Sequence, residues 1–136
     1  MKKFIAVVLM CICVLGVIGC NQQPQQVQGN QLLVEGNVVK IDVSSLPEGY
    51  NYSFSGEDAK AIIDYLSTLS LESEFEENPN EYTGMTWVIS LEYDDGDALQ
   101  IYHFGNMFIR VKGGLWYKMT DEEGNRFDIL LNELNN

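Results

Sequence analysis

Residues 85–119 read MTWVISLEYDDGDALQIYHFGNMFIRVKGGLWYKM and contain the pattern that decides the fold. Apolar and polar residues alternate with a period of two in four short runs, as they do in strands that bury one face. Turn-forming aspartate, glycine and asparagine separate the runs. The stretch therefore predicts a four-stranded antiparallel meander with strands at 85–93, 98–104, 107–112 and 115–119.

The connections of this meander predict its register. If each connection is a three-residue loop, apolar residues face one another in all three hairpins, whereas a two-residue turn would flip one strand and oppose apolar to polar side chains. The predicted pairs are Leu91 with Leu99, Ile89 with Ile101, Ile101 with Ile109, Leu99 with Val111, and Ile109 with Tyr117. One face of the sheet is therefore expected to be apolar throughout.

The flanking segments predict one more strand and two helices. Val39, Ile41 and Val43 alternate with polar residues, as in a half-buried strand. Ser55 and Thr120 each stand three positions before an acidic residue, close to a capping box, and apolar residues then recur every three or four positions. The two apolar helix faces comprise Ala59, Ile62, Leu66 and Leu69, and Phe127, Leu130, Leu131 and Leu134.

In chain order these elements predict β-α-β-β-β-β-α, a single α+β domain over residues 32–136. Its antiparallel sheet of four or five strands would carry both helices on the apolar face, in two layers. Gly124, in the first turn of the second helix, weakens that helix. Residues 72–82 are acidic and include a proline, so we expect an exposed loop there.

The N-terminus has the order of an export signal. Lys2 and Lys3 precede an apolar run, and Val17-Ile18-Gly19-Cys20 follows. These four residues resemble the lipobox of bacterial lipoproteins, and the rest of the chain resembles only short Gram-positive lipoproteins in general. The resemblance implies that residues 1–19 form a signal peptide cut between Gly19 and Cys20, that Cys20 carries a diacylglycerol, and that the lipid holds the protein on the extracytoplasmic side of the cell membrane. The alternative, an uncleaved membrane-spanning helix, is disfavoured by a short apolar run with no basic residue after it.

Residues 20–31 are expected to be the lipidated cysteine and a disordered tether, because residues 21–31 (NQQPQQVQGNQ) contain six glutamines, one proline and little to bury. Eleven extended residues reach at most about 36 Å. Cys20 would be the only cysteine after cleavage, so we expect the domain to fold without disulfides.

The composition narrows the range of partners. The chain has 8 basic and 20 acidic residues and a net charge of −12; without residues 1–19 the balance is 6 − 20 = −14. A surface of this charge repels phosphates, so nucleic acid is a poor partner.

The sheet face opposite the helices offers the main functional lead. The predicted register places Ser90, Gln100, Arg110 and Trp116 in one row and Val88, Tyr102, Phe108 and Lys118 in the next, with Lys112 on the same face. The candidate binding face comprises Tyr102, Phe108, Arg110, Trp116 and Lys118, residue types that suit an extended or anionic protein, peptide or wall-polymer ligand. The alternatives are that cation–π pairs merely stabilise an exposed sheet, or that the first strand covers it.

No residue pattern indicates catalysis, a cofactor or a metal. His103 should face Trp87 on the core side as a structural histidine, and the carboxylates of Asp94, Asp95 and Asp97 suit a hairpin turn better than half a calcium loop. We therefore expect a small binding or adaptor module rather than an enzyme. The alternative is an inhibitor or immunity-like protein that neutralises a secreted enzyme or toxin through its acidic segment, residues 72–81.

Overall fold

The computed structural model describes residues 27–28 and 30–136. The predicted signal peptide, Cys20 and the first residues of the tether lie outside this part of the chain. The helices are α1 (Gly56–Thr68) and α2 (Asp121–Leu134), with a short 3-10 helix at Pro79–Glu81. The strands are β1 (Val27–Gln28), β2 (Gln31–Leu32), β3 (Val38–Leu46), β4 (Asn51–Phe54), β5 (Leu71–Phe75), β6 (Thr86–Tyr93), β7 (Ala98–Phe104), β8 (Phe108–Val111) and β9 (Trp116–Met119).

The fold is α+β, as the sequence predicts, with a larger sheet than expected. Seven antiparallel strands in the order β4-β3-β6-β7-β8-β9-β5 form the main sheet, and β6 to β9 are the predicted meander. The buried residues of both helices join one hydrophobic core with the apolar sheet face. The opposite face, which we call the outer face, carries neither of the two α-helices.

The prediction missed both edge strands of the main sheet. β4 has only four residues, too few for a convincing alternation, and it pairs with β3 as a hairpin. β5 overlaps the segment predicted to be a loop, and that prediction was wrong for residues 72–75, which belong to a strand that pairs with β9. Its glutamates disfavour a strand in sequence terms, yet they suit an edge, where charge hinders pairing with other chains.

Part of the expected tether is ordered. Within the described residues, β1 and β2 pair as a small hairpin. The Leu71 amide donates to the Asn30 carbonyl oxygen at 2.8 Å, and Leu32 is 2 % exposed. Residues 27–28 and 30–31 of the expected tether are therefore structured, because a leucine and a few backbone hydrogen bonds attach this glutamine-rich segment to the core.

The predicted register is confirmed in two hairpins and wrong in one. Leu91 faces Leu99, Ile89 faces Ile101, and Ile109 faces Tyr117, as predicted. Between β7 and β8, however, Ile101 faces Val111 and His103 faces Ile109. The three-residue loop is 105–107 rather than 104–106, since the residues that adopt positive φ are Gly105 (58°) and Asn106 (55°). This moves each partner by two positions and leaves every side chain on its predicted face.

The helices bury most of their predicted apolar faces. Leu130 and Leu134 are only half-buried, and Tyr65, which was not predicted, is buried. Thr120 caps α2, because its hydroxyl accepts a hydrogen bond from the Glu123 amide at 3.2 Å. The Glu123 carboxylate accepts from the Ser70 amide and the Thr120 hydroxyl, so the reciprocal half of the predicted capping box is not formed. Ser55 stands at the N-cap of α1 but its side chain makes no capping hydrogen bond, so the first predicted capping box is not formed.

A buried polar chain joins the two helices to the sheet. The Tyr65 hydroxyl donates to the Glu123 carbonyl oxygen at 2.9 Å, so it accepts from His103 Nε2, which lies 3.1 Å away. His103 is therefore the neutral tautomer with its proton on Nε2. It faces Trp87 on the core side, as predicted, and is fully buried.

A second contact holds α2 against the turn between β7 and β8. The Asp128 carboxylate accepts from Trp87 Nε1 at 2.9 Å and from Asn106 Nδ2 at 2.7 Å. Gly124 packs directly on the Asn106 backbone, where a Cβ would overlap the carbonyl oxygen and lie 2.6 Å from its carbon. The glycine that weakens the helix on its own is the residue that allows the helix to approach.

We predict that Gly124→Ala destabilises the protein although alanine is the better helix former. Helix propensity alone would stabilise by about 1 kcal/mol. Overlap with backbone that cannot move aside should outweigh this and lower the free energy of unfolding by about 2 kcal/mol. Urea denaturation measures the change, with the exposed Asn132→Ala on the same helix as control. A Gly124→Ala protein as stable as the control would contradict the close contact.

Burial of His103 predicts a loss of stability in weak acid. Desolvation lowers its pKa from 6.5 to about 4, although the nearby Asp128 charge opposes this. Between these values the unfolded chain binds a proton that the folded chain does not, so stability falls as pH falls. At pH 5 the loss is about 2 kcal/mol relative to pH 7.5.

Urea denaturation of wild type and His103→Phe at pH 7.5 and pH 5 isolates this effect, since the carboxylates are common to both proteins. The wild type should lose more stability on acidification than the variant. Equal losses would show that His103 is not kept neutral by burial.

Candidate binding face

The outer face has an arginine between two aromatic rings. Tyr102 on β7 pairs with Arg110 on β8. The Arg110 guanidinium carbon lies 5.0 Å from the Tyr102 ring centroid and 4.6 Å from that of Trp116 on β9. We call these three residues the Arg110 cluster. Both distances are in the range of cation–π attraction, which is worth about 0.5–1 kcal/mol at exposed sites.

The corrected register explains this arrangement. The predicted rows set Arg110 opposite Gln100. Moving the β8 partners by two positions sets it opposite Tyr102 instead. Trp116 follows the glycine turn at 113–114 and brings its ring to the other side of the guanidinium. The sequence predicts the shared face correctly, but it does not predict which aromatic residue contacts the arginine.

Four of the five predicted face residues lie half-buried on the outer face: Tyr102, Arg110, Trp116 and Lys118. The fifth, Phe108, is 1 % exposed and cannot meet a ligand, so its inclusion was wrong. The ring of Phe75 covers it at 4.4 Å between centroids and that of Tyr82 at 5.3 Å. Both come from the segment that was expected to be an exposed loop.

We call residues 76–82 the acidic cap. After β5, the chain passes a buried Pro79 and a short 3-10 turn and returns Tyr82 to Phe108. Glu76, Glu77 and Glu81 remain exposed. The two aromatics of the sequence ESEFEENPNEY were the signal that this segment packs on the sheet. The cap borders the Arg110 cluster, since Phe75 is paired with Trp116.

Arg110 lacks polar partners in the part of the chain that the structure describes. Its Nε atom is buried without a hydrogen bond, and its guanidinium forms no ion pair or hydrogen bond with another described residue. Its two terminal nitrogens are not enclosed in this way, and the residue as a whole is only half-buried. An arginine left unpaired in a chain with 20 acidic residues is the most unusual electrostatic feature of this face.

On β3 and β4, at the other half of the outer face, the charged side chains are paired with one another. Lys40 Nζ lies 2.8 Å from Asp42 Oδ2, and the Ser53 hydroxyl donates to the other oxygen of that carboxylate at 2.7 Å. The lysine hydrogen bond, together with that of Ser53, lowers the pKa of Asp42. The basic residue there already has its counter-ion, whereas Arg110 has none.

Other candidate chemistry is accounted for by the fold. The Asp95 carboxylate accepts from the Asp97 amide at 2.9 Å within the turn between β6 and β7, and Asp94 accepts from Asn37 Nδ2 at 3.0 Å, which joins that turn to the segment before β3. Among the described residues no group of three or more histidine, cysteine, aspartate or glutamate side chains is placed to hold a metal ion. Nor does any helix in this part of the chain have the length and apolarity to cross a membrane.

Comparison with known proteins found no matching family model, no matching curated protein and no matching solved structure.

Proposed function

We propose that this protein is a small binding or adaptor module that uses its outer sheet face to hold an extended, anionic segment of a partner. The observation that carries the proposal is the Arg110 guanidinium, which lies against the rings of Tyr102 and Trp116 and has no counter-ion among the described residues. Arginine, tyrosine and tryptophan are the residue types in which interface binding energy concentrates. Their stacking also holds the charge in one place before a ligand arrives, which reduces the ordering entropy that binding must overcome.

The distribution of charge supports an anionic ligand. Lys112 continues the outer-face alternation beyond β8, and Lys118 lies on the neighbouring strand. Arg110 and these two lysines, three of the six basic residues in the described chain, therefore lie on β8, on β9 or in the turn between them, on a molecule that is otherwise strongly acidic. Such a local reversal of sign orients a partner and excludes other binding modes.

We also propose that a diacylglycerol on Cys20 anchors the protein to the extracytoplasmic side of a cell membrane. The support is the Val17-Ile18-Gly19-Cys20 sequence behind a basic and apolar export signal. Two acyl chains on one cysteine provide stable anchoring, which a single chain does not. The module would then act on partners at or near the cell surface.

A second candidate function is supported by the order of the acidic cap. Phe75 and Tyr82 fix the cap to Phe108, so its exposed glutamates are presented on a packed segment. An inhibitor or immunity-like protein that neutralises a secreted enzyme or toxin could use such a segment against a basic active-site cleft.

Paired variants distinguish the two functions. We expect Arg110→Gln combined with Trp116→Ala to abolish capture of the partner from the envelope fraction of the expressing cells, while the protein stays folded. Replacing Glu76, Glu77 and Glu81 by glutamine should leave capture intact. Affinity capture with each variant, beside a melting curve, measures both. Loss of capture only when the three glutamates are replaced would instead support the inhibitor.

Replacing Cys20 by serine should release the protein from the membrane, because no acceptor for the lipid remains. Fractionation and labelling with an alkyne analogue of palmitate measure the change. Cys13→Ser is the matched control and should behave as wild type, since residue 13 lies within the predicted signal peptide. If Cys20→Ser stayed in the membrane fraction, the lipid anchor would be refuted and a spanning segment favoured.

A further inference from the structure

We infer that the group held by Arg110 is a single carboxylate presented by a peptide, either an acidic side chain or a chain terminus, with apolar residues beside it. This inference rests on the proposed binding function and names the class of its ligand. It follows from which atoms of the guanidinium are free, from the charge of the surrounding molecule, and from the apolar groups beside the site.

The free part of the guanidinium is its outer edge. The rings of Tyr102 and Trp116 lie 5.0 and 4.6 Å from its central carbon, and protein atoms enclose Nε. A ligand therefore meets the two terminal nitrogens, which donate two parallel N–H groups. That fork matches the two oxygens of one carboxylate, and the paired hydrogen bonds are both strong and directional.

The charge around the site favours one carboxylate over a run of phosphates. Phosphate oxygens also fit an arginine fork, but a polymer of phosphodiesters carries a negative charge on every unit. It would have to lie across a molecule whose net charge without residues 1–19 is 6 − 20 = −14, and beside Glu76, Glu77 and Glu81 of the acidic cap. A peptide with one carboxylate is attracted by Arg110, Lys112 and Lys118, and it has no further negative charges for the acidic surface to repel.

The surroundings of the cluster favour apolar neighbours of that carboxylate. The Tyr102 and Trp116 rings are half-exposed, and Leu115, which precedes Trp116, is 58 % exposed. Apolar ligand side chains on these groups would exclude water from the ion pair, which strengthens a charged hydrogen bond at the centre of an interface.

Arginine Nε–H resonances test the inference, because the chain has only two arginines and burial of Arg110 Nε should slow its exchange with water. The probes are acetyl-Leu-Glu-Leu-amide, the same peptide with glutamine in the centre, and a synthetic poly(glycerol phosphate). Each is titrated into the ¹⁵N-labelled domain. Arg126, which lies against Tyr65 on the helical side, is the internal control.

We expect the glutamate peptide to shift the Arg110 resonance and leave that of Arg126 in place. Its affinity should exceed that of the glutamine peptide about tenfold or more, the factor that one charge-assisted hydrogen bond supplies. It should also exceed the affinity of the polymer per charged unit. Arg110→Lys keeps the charge but not the fork, and should remove the preference for glutamate, read from the Trp116 indole resonance.

Three results would overturn the inference. Equal binding of the two peptides would mean that the rings bind neutral chains. Tighter binding of the polymer would identify a phosphodiester ligand. If no probe shifted the Arg110 Nε–H resonance, the carboxylate would be rejected. Affinity capture with the Arg110 and Trp116 variant decides separately whether the face binds a partner.

Discussion

The buried hydrogen bonds of the Tyr65 hydroxyl are the interaction on which the two-layer arrangement depends. They join α1, which carries Tyr65, to α2 through the Glu123 carbonyl and to β7 through His103. Gly124 adds a constraint at the same end of α2, since only a residue without a side chain lets the helix reach the Asn106 backbone. Both helices are thereby fixed to one face of the sheet. The side chains of the outer face must therefore be covered or paired without them.

The two halves of the outer face are covered by different kinds of contact. At the β3 and β4 side, Lys40, Asp42 and Ser53 satisfy one another. At the β5 side, Phe75 and Tyr82 cover Phe108. The Arg110 cluster lies between these hydrogen-bonded polar side chains and these packed aromatic rings. It is the part of this face where charge and aromatic surface remain available together, and the fold itself determines that location.

The sequence was sufficient for features that depend on local pattern and insufficient for those that depend on long-range packing. Alternation and loop length predicted the meander, the face on which its strand residues lie, and the core position of His103. The shift of the β7–β8 loop depended on positive φ at Gly105 and Asn106. Burial of Phe108 depended on rings far away in sequence, and acidic composition concealed the edge strand that brings them there. The Arg110 cluster was predicted as a group of residues on one face, but not as a stacked arrangement.

The state of Arg110 argues that the cluster serves more than stability. Enclosing Nε without a partner costs about 1–3 kcal/mol, which is comparable to what two exposed cation–π contacts return. A carboxylate on a neighbouring strand could have paired with the guanidinium, and the chain has 20 acidic residues from which to supply one. Lys40 and Asp42, two positions apart on β3, form an ion pair on the same face. Two ring contacts and the absence of a counter-ion among the described residues are therefore the observations that support the proposed anionic partner.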